Sequence, residues 1–171
     1  LAATTVSLLW PSVGARAFGV LTLALVAWLD RADVARRTIH ATGLPRFSAA
    51  ALLSGYVWLA VAGMVWAVGG MPRALAAYDT VVHATFLGFA MSMVMAHAPV
   101  IFPSVLRRPL PYRSAMWIPL GLLQIGLVVR IGVGNGLGLE RPWQVGAVLN
   151  VVALLLFVGT AAWSLLTARR A

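Results

Sequence analysis

The sequence predicts an all-α protein, a polytopic transmembrane helical bundle of five full spans preceded by a short apolar segment. Three observations predict it. Apolar stretches of about twenty residues, the length that crosses a hydrocarbon core of about 30 Å, recur along the chain. The composition is 61% hydrophobic and only 10% charged, with a mean hydropathy of +0.92, whereas about a quarter of the residues of a soluble domain are charged. The arginines, finally, gather in every other loop.

Taken in order, residues 1–10, LAATTVSLLW, are apolar but too short to cross, and Pro11 separates them from the next segment. They read as half of a span. With Leu1 in place of a start methionine, they point to processing, an earlier start or the C-terminal part of a longer protein. Ser12–Leu29 is the first full span, with Trp28 at the interfacial depth such rings prefer. The polar loop Asp30–Arg46 holds Arg31, Arg36, Arg37, Arg46 and His40. Phe47–Gly69 is the second span, in which Ala49, Ala50, Ala51, Ser54, Gly55, Ala60 and Gly63 permit close helix approach. After the turn GGMPR, Tyr78–Pro103 forms the third span, with Pro99 and Pro103 expected to kink or end it. SVLRRPLPYRS leads into the fourth span, Ala115–Val133, which carries Pro119, Gln124 and Arg130. GNGLGLERP turns into the fifth, Gln144–Thr167, which carries Asn150. Residues 1–171 thus read as one transmembrane helical domain.

The net charge of +9 comes from thirteen arginines, with no lysine, against Asp30, Asp33, Asp79 and Glu140. On the predicted topology nine arginines (31, 36, 37, 46, 107, 108, 113, 169, 170) fall on one side, three (16, 73, 141) on the other, and Arg130 within a span. By the positive-inside rule, loops 30–46 and 103–114 and the C-terminus are cytoplasmic. The basic balance is therefore about the lipid bilayer, and no basic-aromatic surface points to nucleic acid. The absence of cysteine excludes disulfides, iron–sulfur clusters and a thiol nucleophile. No serine–histidine–carboxylate set or carboxylate pair is present, and GVGNGLG (132–138) leads to no strand–helix unit that would cradle phosphate.

The third span carries the chemistry. His83 and His97 are fourteen residues apart; on a helix that is about 40° short of four turns and roughly 21 Å along the axis. Ionisable side chains inside a span face protein or water and mark function by default. Imidazole can ligate haem iron or copper through one ring nitrogen while a neighbour fixes the other. Two such residues on one helix match the spacing by which b-type cytochromes stack two haems across a bilayer. The alternative is that both histidines only pack, bonded to backbone or to Ser and Thr of neighbouring helices. Met93 stands one turn before His97, so thioether and imidazole could share a soft copper site, or Met91, Met93 and Met95 could simply fill the core. Arg130 requires a partner: a haem propionate, Asp79 or a lipid phosphate. Gln124 and Asn150 suit interhelical hydrogen bonds, Gly88 close approach by a flat group or a helix, and His40 a solvated loop.

Residues 80–131 resemble one family. His83-Ala84, Gly88-Phe89, the Met-rich run to His97, Arg-Arg-Pro-Leu at 107–110 and the helix ending Val129-Arg130-Ile131 are similar to NnrS-type membrane proteins. Those are polytopic proteins of the bacterial inner membrane, haem- and copper-containing and linked to nitric oxide metabolism. The pattern departs where APVIFPSVLR separates His97 from Arg-Pro-Leu, which in the family comes almost directly after its histidine. The resemblance implies haem b, and copper, held by His83 and His97 with Arg130 beside them, in electron transfer or in handling a diatomic gas such as nitric oxide. One helix with two histidines supplies half of a two-haem frame, so the iron is either left open on one side to a small gas or finds its other ligands in a homo-oligomer, a missing N-terminal part or another membrane subunit. The competing reading is a non-catalytic membrane subunit or assembly scaffold without cofactor. A small transporter is a third reading, and the sequence lacks the paired broken spans it would need.

Overall fold

The structure, a computed structural model, describes residues 10–106 and 111–168. The expectations for residues 1–9, for arginines 107 and 108 with the Arg-Pro-Leu segment, and for arginines 169 and 170 lie outside the described residues.

Among the described residues five helices are long and apolar enough to cross a membrane: Pro11–Ala32, Leu44–Gly69, Leu75–Pro103, Ser114–Asn135 and Glu140–Thr167. They match the five predicted spans, and among the described residues there is no strand. Numbered in chain order, α1 is Pro11–Ala32, α2 the short Ala35–Thr38, and α3 Leu44–Gly69. The third span begins as α4, Leu75–His83, widens into a π-helical stretch, Ala84–Met91, and continues as α5, Ser92–Leu106. The fourth opens with a 3₁₀ turn, Ser114–Met116, then runs through α6, Trp117–Leu127, and a second π-helical stretch, Val128–Asn135. The fifth is α7, Glu140–Thr167.

The local chemistry explains the boundaries. Pro11 opens α1, where its missing N–H would have no intrahelical partner in any case. Gly43 and Gly70 flank α3 at φ of 67° and 73°, a backbone that residues with a Cβ rarely adopt. Of the two expectations for Pro99 and Pro103, a kink or an end, the helix does not end at them: α5 runs through both to Leu106. A proline removes one intrahelical bond, and inside a bundle neighbouring groups can make good that loss.

α1 packs on α3, α3 packs on the π-helical stretch of the third span and on α5, and the fourth span packs along α7. Phe47, Trp58, Met95, Leu123, Leu127 and Phe157 form the centre of the core. The meeting of α6 and α7 is close enough to exclude side chains. A Cβ on Gly146 would lie 2.6 Å from the Arg130 amide nitrogen and 2.6 Å from the Gly126 carbonyl oxygen. Glycine at 146 therefore lets the two backbones touch, and that contact sets where Arg130 emerges.

Candidate functional site

At the end of the bundle bearing Gly70 and Gly138, one carboxylate gathers side chains from three spans. Asp79, on the second turn of α4, accepts from Arg130 twice: Nη2 donates to Oδ1 at 2.6 Å and Nε to Oδ2 at 3.1 Å. Oδ2 also accepts from Asn135 Nδ2 at 2.8 Å and from Trp143 Nε1 at 3.2 Å. The Arg130 guanidinium lies 4.4 Å over the Trp143 ring, a cation–π contact that covers its remaining face. Side-chain exposure is 10% for Asp79 and 9% for Arg130. A buried ion pair needs further partners to offset desolvation; here Asp79 accepts from Asn135 and Trp143 as well, and Arg130 lies over the Trp143 ring.

The second π-helical stretch makes that convergence possible. Arg130 and Asn135 are five residues apart and would point about 140° away from each other on a regular α-helix. Bonds from residue i to i+5 make five residues close to one turn, so both side chains reach Asp79. Asn135 Nδ2 also lies 3.0 Å from Thr80 Oγ1, tying the stretch to α4 a second time.

His83 stands one turn after Asp79. Its Nδ1 is 2.9 Å from the Asp79 carbonyl oxygen and 3.2 Å from Asp79 Oδ1. Both neighbours only accept, so Nδ1 carries a hydrogen, an arrangement that in a neutral imidazole leaves the lone pair on Nε2. His97 repeats the local pattern, with Nδ1 2.8 Å from the Met93 carbonyl. The two histidines differ in setting: His83 is partly buried, with 26% of its side chain exposed, whereas His97 is exposed on the bundle surface.

Above Asp79 a cavity of about 410 Å³ opens at the same end, walled by Leu75, Leu139, Trp143, Asn135 and Glu140. A smaller one of about 340 Å³ lies at the opposite end, among Thr42, Gly43, Arg46, Tyr112 and Trp117.

A family model described as Domain of unknown function (DUF8744) matches residues 1–166. The chain belongs to the DUF8744 family. No curated protein and no solved structure matches it.

For this DUF8744 chain the structure brings some of the predicted residues together and keeps others apart. Arg130 takes Asp79, one of its three expected partners. His83 joins the same cluster, and His97 stands away from it. Met93 places its terminal methyl 3.6 Å from where a Cβ on Gly55 would lie, in the seam with α3. Among the described residues no three of His, Cys, Asp and Glu gather as a metal site. Gly88 meets a helix rather than a flat group, because a Cβ there would overlap the Trp58 side chain. Gln124 bonds across helices as expected, accepting from Trp58 Nε1 at 2.6 Å and donating to Ser92 Oγ at 3.0 Å. Asn150 does not: it is buried, and among the described residues neither atom of its amide finds a partner. It faces Gly126, whose missing side chain makes room for the amide and offers it no bonding group. Asn135 and Trp143 are members of the cluster that no sequence signal singles out; Asn135 lies in the GVGNGLG run, where the glycines dominate the pattern.

Proposed function

We propose that this is an integral membrane haem-binding protein in which His83 would hold the iron through Nε2, serving electron transfer or the handling of a diatomic gas such as nitric oxide. The observation that carries the reading is the Asp79 carboxylate 3.2 Å behind His83 Nδ1. A carboxylate in that position fixes the tautomer, holds the ring and makes the other nitrogen a stronger ligand. When bound, haem supplies a redox iron whose potential depends on its axial ligand and burial. Arg130 serves by holding Asp79 in place, since two of its nitrogens already bond that carboxylate. The likeness of residues 80–131 to NnrS-type proteins supports the same reading, as does the rule that ionisable groups within spans are functional. We do not extend it to copper, because Met93 turns toward Gly55. The membrane is taken to be the bacterial inner membrane, with the arginine-rich loops inside and His83 toward the outer leaflet.

The test is the absorption spectrum of protein purified from cells supplied with haem. A Soret band is expected, lost or strongly reduced in His83→Ala. Asp79→Asn should keep haem and raise its midpoint potential, because the weaker acceptor makes the imidazole a poorer donor. Wild-type protein without a Soret band would overturn the reading.

A second reading, a cofactor-free subunit or scaffold, has its own observation: the Asp79 cluster is internally satisfied and ties three spans together. A stoichiometric partner co-purifying with haem-free protein would favour it.

A further inference from the structure

The end of the bundle opposite the Asp79 cluster holds a cation that no acid of the chain meets. Arg46 stands on the first turn of α3, and among the described residues its guanidinium makes no hydrogen bond or ion pair. The sequence contains four acids, and each is engaged elsewhere. Asp30 pairs with Arg36 at 3.4 Å, and Asp33 accepts from the Ala35 amide and the Tyr56 hydroxyl. Asp79 is filled by Arg130, Asn135 and Trp143, and Glu140 accepts from Gln144 at the far end. Residues 1–9, 107–110 and 169–171 contain no aspartate or glutamate. An anion for Arg46 therefore comes from outside the chain.

Arg46 lines the cavity of about 340 Å³ together with Thr42, Gly43, Tyr112 and Trp117. The Tyr112 hydroxyl already accepts from Trp117 Nε1 at 2.9 Å, which leaves its own hydrogen to donate. Among the described residues neither that hydroxyl nor the one on Thr42 has an acceptor. No carboxylate lines these walls, whereas Asp79 and Glu140 both line the larger cavity at the other end. A guanidinium fork flanked by two hydroxyl donors suits a phosphate group, whose several oxygens accept from all of them at once.

The position of the cavity narrows the source of that phosphate. Thr42 and Gly43 precede the first residue of α3, a helix of 26 residues and hence about 39 Å, longer than a hydrocarbon core of about 30 Å. The end of such a span lies at the headgroup layer, where tyrosine and tryptophan also concentrate. A zwitterionic headgroup would bring an ammonium for which the walls hold no carboxylate. An acidic headgroup brings only the charge that Arg46 lacks.

We propose that this cavity binds the phosphate group of an acidic phospholipid, with Arg46 as its ionic partner and the Tyr112 and Thr42 hydroxyls as further donors. The assignment uses none of the residues of the haem reading and stands or falls apart from it.

The test is the ligand retained by the full chain purified in mild detergent, read by native mass spectrometry after addition of phosphatidylglycerol, phosphatidylcholine or inorganic phosphate. One phosphatidylglycerol per chain should stay bound in preference to phosphatidylcholine. Arg46→Gln should hold it about tenfold more weakly, the effect of losing one charge-assisted contact. Arg37→Gln, which removes an exposed arginine outside the cavity, should bind as the wild type does. Thr42→Ala, at an exposed position before the helix, should weaken retention severalfold and carries the comparison if Arg46→Gln does not fold. Inorganic phosphate bound as firmly as the lipid supports the phosphate site and makes its ligand a soluble one. Equal retention in wild type and Arg46→Gln overturns the site, as does an equal loss in Arg46→Gln and Arg37→Gln, or phosphatidylcholine held as firmly as phosphatidylglycerol.

Discussion

His83 and His97 lie on one continuous helix, and each points Nδ1 at the carbonyl four residues back; beyond that bond their surroundings are opposite. Around His83 the bundle supplies a carboxylate, a guanidinium, an amide and an indole, each satisfied by another. Around His97, among the described residues, the one side-chain bond is to its own helix. Two histidines that look equivalent by spacing are thus a group built into the fold and a group left facing outward. The proposed function draws on the first, whose imidazole the fold holds and orients.

The sharpest way to break that comparison is to remove the centre of the filled site. Asp79→Ala strands Arg130 as a buried unpaired cation and should destabilise by about 3–5 kcal/mol, read as a fall in melting temperature in mild detergent. The paired replacement Asp79→Leu with Arg130→Met should recover most of that loss, because both desolvation penalties disappear together. A smaller effect tests the backbone contact that aims Arg130: Gly146→Ala forces a Cβ against the Arg130 nitrogen and should cost about 1–3 kcal/mol. Gln124→Leu, which strands the Trp58 indole N–H and takes the donor away from Ser92 Oγ in the middle of the bundle, should cost about 1–2 kcal/mol by the same assay. The smallest belongs to the open site. His97→Ala should change the unfolding free energy of the detergent-solubilised monomer by less than about 0.5 kcal/mol, as for other exposed positions. A large loss there would mean that His97 is part of the fold after all, and the contrast would collapse.

The spans were legible because hydropathy is a sum over a window of about twenty residues and needs no knowledge of what lies opposite. The pairing of Asp79 with Arg130 was half legible: a guanidinium in a span must find an anion, and few acids were available. Asn135 and Trp143 were not legible, since joining Asn135 to Arg130 depends on the wider π turn, and spacing in the sequence is read in α-helical phase. The fate of Met93 was equally hidden. Helical spacing puts it above His97, yet whether a flexible thioether turns to the imidazole or drops into a gap depends on the gap at Gly55 in α3. Whether Pro99 and Pro103 would end the span was hidden for a related reason, because they would break an isolated helix and are tolerated inside one where the bundle supports it.

By itself the sequence determined that this chain forms five apolar helices, where they begin and end to within a few residues, and that His83, His97 and Arg130 are the groups to watch. These conclusions rest on local composition and on the cost of placing charge in hydrocarbon. Only the tertiary structure decided which of those groups is enclosed and which is exposed. That choice depends on a glycine contact between two helices and on a change of helical pitch in one of them, and neither is written in the hydropathy of any single span.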